Sequence, residues 1–353
     1  MNDTPALRTD ALDHALQAAT RRIRPDVLLL SGGLDSSLLA AIWTQQGHRF
    51  RAVSVGLDPN VRCTPAHRFL PYPCNSDIAW AGTVATHLEL DWHPVILGER
   101  EAMDALDWHM AQQRSFDLGQ LNNIPLIAAL QAMEGATFAT GDDGDGLFGG
   151  YLFSKEQPDW GAYVAERIPR IDPPARGIGL AAGWTPLFPY LEPEVLEIAR
   201  SLRSSDIRAD IPVGERSLPP SFMDQFDTAA FEATSRSWGK VVLRKVAERW
   251  LPDEIAWRPK TDLQFGSGMC ALEPSLALRI NPGLMPSLQT TAIRFFNDAH
   301  RALHLRFRGL GLTIPPVRDG EYRCASCGAG IRLGKRHCAT CGHWHEPENP
   351  VVS

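Results

Sequence analysis

The residues with the clearest chemical capacity form one stretch, Ser31-Gly32-Gly33-Leu34-Asp35-Ser36-Ser37. Its two glycines let backbone N–H groups approach an anion with no Cβ in the way, and its three serines add hydroxyl donors. The apolar run Val27-Leu28-Leu29-Leu30 ahead of it reads as a buried strand. The apolar pattern behind it reads as a helix whose N-terminal N–H groups and dipole point at the same spot. Such a strand–loop–helix is a phosphate cradle. Asp35 would repel a bare phosphate, so a bridging divalent cation, Mg²⁺, is expected. The stretch lacks the Gly-Lys-Ser/Thr ending of the Walker pattern and does not match the dinucleotide fingerprint.

A second polar turn, Gly141-Asp142-Asp143-Gly144-Asp145-Gly146, follows the strand-like segment Ala136-Thr137-Phe138-Ala139-Thr140. Taken alone it is an acidic turn or a helix cap. Its place at the C-terminal end of a strand is where ligands bind in open α/β sheets. Asp35 and Asp145 would then supply the one or two carboxylates that a phosphate-bridging Mg²⁺ needs.

A third group lies near the C-terminus: Cys324-x-x-Cys327 and Cys338-x-x-Cys341, with Gly328 and Gly342 after the pairs to permit tight turns. Four thiolates at this spacing suit a structural, tetrahedral Zn²⁺, and two pairs in one short segment disfavour a redox motif. A module this small buries little core, so the metal would supply its folding energy. His337, His343 and His345 are neighbours or substitute ligands. Arg323, Arg332, Lys335 and Arg336 make the module locally basic, which leaves open a contact with RNA, a contact with a carrier protein, or a purely stabilising role. Cys63, Cys74 and Cys270 are scattered.

The elements that must position these groups alternate in type. Residues 5–24 read as an amphipathic helix with Leu12, Leu16, Ala19 and Ile23 on one face, stopped by Pro25. A helix over 37–46, a strand over 51–57, a helix over 77–88, a strand over 93–97 and helices over 99–113 and 123–134 follow. Strand–helix–strand spacing of this kind builds a parallel sheet, so the expected fold is α/β with flanking helices. Residues 58–76 and 204–226 read as irregular insertions. Beyond Tyr151 the strand pattern fades, and helices are expected over 191–203, 227–250, 273–280 and 290–307. A Gly/Pro-containing linker over 309–320 separates a main domain, residues 1–308, from the zinc ribbon at 321–346. The 353 residues are 44% hydrophobic and 22% charged, with a formal charge of −6. That balance gives no global electrostatic case for nucleic acid or an acidic membrane. The N-terminus has no signal-like apolar core and no run is long enough to span a bilayer, so a cytoplasmic protein is expected.

Four blocks in order, SGGLDSS, TGDDGDGLFGGY, PLFPYLEPEVLEIA and GKVVLRKVAERWLPDEIAWRPK, make the chain resemble the synthetase domain of asparagine synthetase and its relatives, within the PP-loop ATP pyrophosphatase superfamily. The resemblance spans residues 5 to about 270. It implies a PP-loop, adenine nucleotide alpha hydrolase-like fold and the use of ATP. Position by position, it places Ser31, Gly33, Asp35, Ser36 and Ser37 on pyrophosphate, and Asp35 and Asp145 on Mg²⁺. It places Leu29, Val55 and Gly141 around adenosine, and Lys240 and Lys260 near the phosphates. Asp142 stands where asparagine synthetases carry a glutamate that assists the attacking nucleophile.

The implied chemistry is adenylation of a carboxylate with release of pyrophosphate, followed by attack of an amine or ammonia to give an amide and AMP. The expected partners are small-molecule or peptide carboxylates and amines, with room for a carrier or amine-donor protein and none for a membrane. The family's glutaminase nucleophile is a cysteine directly after the initiator methionine. Residue 2 here is Asn2 and the first cysteine is Cys63, so the amine is expected to come from elsewhere. Asp142 is one methylene shorter than glutamate, Gly146 replaces a common acidic residue and Asp143 a small one. These departures weigh against aspartate as the substrate. Two other readings compete: a PP-loop tRNA-modifying enzyme that grips RNA with the ribbon, and a non-catalytic nucleotide-binding scaffold. The net negative charge opposes the first, and the intact Asp35, Asp145 and Lys240 oppose the second.

Overall fold

The strand–loop–helix expected around residue 30 opens the fold. A computed structural model describes residues 5–61, 76–212, 235–280 and 291–346. In chain order, α1 (Pro5–Arg22) leads into β1 (Val27–Leu29), α2 (Leu34–Gln45) and β2 (Arg51–Leu57). Then come α3 (Asp77–His87), β3 (Asp91–Leu97), α4 (Glu99–Gln113), α5 (Ile124–Ala132), β4 (Thr137–Ala139) and α6 (Gly144–Phe148). The α2 sequence LDSSLLAAIWTQ shows no polar face because Leu34 and all of Ser36 to Trp43 are buried.

All five strands of the main sheet run parallel, in the order β3-β2-β1-β4-β5, where β5 is Thr185–Leu187. Val27 sits between Arg51 on one side and Phe138 on the other. The order reverses between β1 and β4. In an open parallel sheet that reversal leaves a crevice beyond the strands' C-terminal ends. The Ser31–Ser37 loop leaves β1 there, and the acidic turn leaves β4 there.

Each sheet face has its own core. One packs Leu12, Leu16, Trp43, Trp160, Tyr190 and Leu243, all fully or almost fully buried. The other packs Leu106, Phe116, Ile127, Phe138, Leu303 and Phe307, and it continues into Cys324, Ile331, Cys338 and Cys341 of the C-terminal segment. That segment contains an antiparallel hairpin, β8 (Glu321–Arg323) with β9 (Gly330–Arg332). It also hydrogen-bonds to the end of α4's loop: Phe116 N donates to Thr340 O at 2.7 Å and Ser115 Oγ to Ala339 O at 2.6 Å. Among the described residues no helix is long and apolar enough to cross a membrane.

Several expectations beyond Tyr151 are corrected. β5 is a true sheet strand, hidden in sequence because it is three residues long and carries Pro186; an edge position tolerates the missing donor. Within 204–226, Ser204–Ile207 is a helical turn and Arg208–Pro212 is a strand, β6. The expected helix over 227–250 is broken: Ser235–Gly239 forms β7, antiparallel to β6, and a helix begins only at Val241. Pairing with β6 overrides local helical preference there. The helix expected from 290 starts at Asp298, where Asn297 Oδ1 accepts from His300 N at 2.9 Å. Most of the 58–76 insertion, with Cys63 and Cys74, lies outside the described residues, as do 213–234.

Candidate active site

The Ser31–Ser37 loop closes on itself through its serines. Ser31 N donates to Ser36 Oγ at 3.2 Å, Gly33 N to Ser31 Oγ at 3.2 Å, and Ser36 Oγ to Gly33 O at 3.3 Å. Gly33 caps α2 without a side-chain hydrogen bond, which leaves the first-turn N–H groups lacking an intrahelical partner. Across the crevice, the acidic turn approaches Asp35 through glycine. A Cβ on Gly144 would stand 2.4 Å from Asp35 Oδ1, and one on Gly150 would stand 1.9 Å from Asp145 Oδ1. Any side chain at either glycine would push those carboxylates from their positions.

Lys240 enters from between β7 and the helix Val241–Ala247, in a left-handed conformation (φ 56°). Its Nζ lies 2.5 Å from Asp35 Oδ2 and 2.7 Å from Asp145 Oδ1. Lys260 Nζ lies 3.0 Å from Asp145 Oδ2. Tyr190, from the PLFPYLEP block, is fully buried and donates its hydroxyl to the carbonyl of Asp35 at 3.0 Å. Burial drives the Asp35 carboxyl above its ordinary value, and Asp145 adds to that while Lys240 opposes it. Burial would raise Asp145 too, but Lys240 and Lys260 outweigh it and hold that carboxyl below the ordinary range. Burial works against the charge of Lys240, and Asp145 and Asp35 more than compensate. The two carboxylates and two ammonium groups thus offset one another in a partly desolvated crevice.

Asp35 Oδ1 is buried with no hydrogen-bond partner, next to a second carboxylate. Two hard oxygen donors, one of them orphaned, are a donor set suited to Mg²⁺.

The crevice opens into a cavity of about 1130 Å³. Of the residues singled out in sequence, Leu29, Ser31, Gly33, Asp35, Ser36, Val55, Gly141, Asp142, Asp145, Lys240 and Lys260 line it. Gly32 and Ser37 do not. Gly32 (φ 65°) lets the loop pass α3, because a Cβ there would meet Ala81 N at 2.4 Å, and Ser37 is fully buried within α2. Burial, reinforced by the charge of Asp143, lifts the Asp142 carboxyl to about 6.

Sequence reasoning missed several lining residues. Arg258 is buried and reaches Asp77 Oδ1 at 2.6 Å and Ser31 O at 3.2 Å, so it fixes the loop against α3. Its position two residues before Lys260 could have drawn attention to it; nothing in the sequence marked Asp77. Arg244 donates to the carbonyls of Gly239, Ala256 and Arg258, holding the turn that carries Lys240 against the one that carries Lys260. Arg208, Asn123 and the aromatic pair Tyr151–Phe153, stacked at 5.3 Å between ring centroids, also line the cavity.

In the C-terminal segment the Sγ atoms of Cys324, Cys327, Cys338 and Cys341 lie within 4.8 Å of one another. Cys324 and Cys341 are 3.8 Å apart, Cys327 and Cys338 3.7 Å. Zn–S bonds of about 2.3 Å in a tetrahedron demand sulfur–sulfur edges of about 3.8 Å, so the set fits Zn²⁺. The neighbouring histidines lie outside this set: His337 Nε2 faces Asp117 at 3.1 Å and His345 Nε2 approaches Cys324 Sγ at 3.4 Å.

Residues 8–210 and 181–303 match the asparagine synthase family, most of the chain. The chain belongs to the asparagine synthase family. It is 26% identical over 277 residues to a probable glutamine-hydrolyzing asparagine synthetase of Schizosaccharomyces pombe, covering 73% of this chain and 47% of that protein. It is 22% identical over 297 residues to asparagine synthetase B of Escherichia coli, covering 81% and 49%. The chain thus spans about half the length of the curated relatives it matches. Among solved structures, an NMN synthetase from Francisella tularensis is 12% identical and covers 72% of this chain and 97% of its own, at a TM-score of 0.30. Within the family's acidic motif, the departures at 143 and 146 are linked in space. Asp143 pairs with Arg167, and a Cβ on Gly146 would meet Arg167 Nη2 at 2.4 Å, so the guanidinium occupies the room beside Gly146.

Proposed function

We propose that the protein is an ATP-dependent carbon–nitrogen ligase that adenylates a carboxylate, releases pyrophosphate and forms an amide with an amine or ammonia supplied from outside these 353 residues. The observation that carries the reading is the meeting of Asp35, Asp145 and Lys240 on one cavity, from three distant parts of the chain. Residues 1–308 form the ligase domain, 309–320 the linker and 321–346 the zinc ribbon. ATP, Mg²⁺ and Zn²⁺ are the cofactors.

The roles combine the family resemblance with the placement of these residues around one cavity. Ser31, Gly33, Ser36 and the start of α2 cradle the phosphates with neutral donors, Gly32 and Ser37 shape the loop from behind, and Leu29, Val55 and Gly141 flank the adenosine. Asp35 and Asp145 hold Mg²⁺, which supplies charge neutralisation of the leaving pyrophosphate. Lys240 and Lys260 stabilise negative charge as it accumulates on that leaving group. They sit in a partly desolvated site where such a contact is worth most. Asp142, with its carboxyl lifted to about 6, is ionised at neutral pH yet basic enough to take a proton from the attacking amine.

The test is pyrophosphate release from MgATP across a panel of carboxylic acids, each with ammonia or a primary amine, with glutamine alone as the negative control. Release that requires both an acid and MgATP, with the amide found in the products, is expected. Release that instead requires tRNA, or ATP binding with no turnover under any acid and amine, overturns the reading.

A further inference from the structure

Among the described residues five cationic side chains line the cavity, and four are already engaged. Lys240 holds Asp35 and Asp145, Lys260 holds Asp145, Arg258 holds Asp77, and Arg244 is spent on backbone carbonyls. The fifth, Arg208, is different: its Nε and Nη1 are buried and have no hydrogen-bond partner. Burial lowers its pKa, with Asp210 opposing, but a guanidinium starts so high that it stays charged. Two buried guanidinium nitrogens without partners are costly in a folded protein, and a ligand's anionic oxygens would repay that cost.

Its address is specific. In the β6–β7 ladder Arg208 stands opposite Gly239, the residue before Lys240. The preceding Ile207 packs into the space left by Gly149, where a Cβ would meet Ile207 Cδ1 at 2.7 Å. The base of Arg208 is thereby fixed between the turn after Asp145 and the turn before Lys240. The charges nearby also need it. Asp35, Asp145, Lys240 and Lys260 cancel one another, and one divalent cation offsets only part of the charge on a fully ionised triphosphate.

We propose that Arg208 is a phosphate-binding residue of this site, taking phosphoryl oxygens of bound ATP in a forked contact beside Lys240. The assignment rests on the ligase reading above and adds to it a residue that none of the four sequence blocks contains. A guanidinium presents parallel N–H donors that match a phosphate edge, which a lysine does not.

The experiment compares wild type, Arg208→Gln and Arg208→Lys by calorimetric titration with MgATP, magnesium pyrophosphate and adenosine, alongside ligand-free thermal melts. Arg208→Gln should weaken MgATP and pyrophosphate about tenfold or more and leave adenosine within about twofold, with Arg208→Lys in between. Its ligand-free melting temperature should equal or exceed that of wild type, because two buried unpartnered donors are gone; a merely structural arginine would lower it. Unchanged MgATP and pyrophosphate affinity in Arg208→Gln overturns the proposal. So does a parallel loss of adenosine binding, or a variant defect confined to the KM of the acid substrate. Failure of wild type to bind MgATP at all would instead overturn the ligase reading itself.

Discussion

Lys240 places its Nζ 2.5 Å from Asp35 Oδ2 although 205 residues separate them along the chain. The same ammonium lies 2.7 Å from Asp145 Oδ1, so one buried cation holds together the ends of β1 and β4. Before any ligand binds, it neutralises two carboxylates that would otherwise repel each other across the crevice.

Lys240→Met should therefore do two things at once. Pyrophosphate release should fall about a hundredfold or more, as when a preorganised charge-stabilising donor is lost. Stability should fall by about 3–5 kcal/mol, because Asp35 is left buried without its partner and Asp145 keeps only Lys260. Adding Asp35→Asn to that variant should recover part of the stability and none of the activity. Urea denaturation and a pyrophosphate assay on the same preparations separate the two effects.

Asp142→Asn should split the half-reactions. Adenylation, read as acid-dependent exchange of labelled pyrophosphate into ATP, should persist, while amide formation should drop about 10²–10⁴-fold. With the Asp142 carboxyl lifted to about 6, kcat/KM for the amine should fall about tenfold per pH unit below that value. The stability sign runs the other way. The folded protein favours the protonated acid, so the contribution of this group is complete at low pH and is lost as pH rises through 6. Asp142→Asn should accordingly be more stable than wild type above pH 6.

Removing zinc should loosen the cavity wall as well as the tail. The segment Ser115–Asp117 is tied to the ribbon at Ala339, Thr340 and His337, and it runs straight into Leu118–Asn123, whose Asn123 lines the cavity. Chelation should release about one zinc per chain and raise hydrogen exchange in residues 115–123 together with 321–346, ahead of exchange in β1 and β2. Unaltered protection at 115–123 after complete zinc loss would contradict this coupling.

Acid should weaken the fold through three buried histidines on the same face. His109, His300 and His304 are each pushed down to about 4, chiefly by burial, and two of them pack on Phe116. In the unfolded chain they titrate near 6.5, so their stabilising contribution is present above that value and is lost as pH falls from 6.5 to 4. Denaturant midpoints should decline steadily across that window, by an amount on the order of 3 kcal/mol for each histidine. His304→Phe should flatten the decline.

The chain by itself determined the cradle, the second acidic turn, the four-thiol set and the parallel α/β core, since each rests on local spacing. Glycine next to serine, aspartate after a buried strand, and paired cysteines constrain only their immediate neighbourhood. It did not determine β5 or the β6–β7 ladder: strands of three to five residues carry almost no periodicity, and what stabilises them is a partner supplied by the rest of the fold. Nor could it distinguish Asp143 as the partner of Arg167, Asp77 as the partner of Arg258, or Arg208 as a cavity-lining arginine with two buried, unpartnered nitrogens. Whether a charged side chain is paired, solvated or stranded depends on what the folded chain brings within about 4 Å of it. That neighbourhood, for residues drawn from distant segments, exists only in three dimensions.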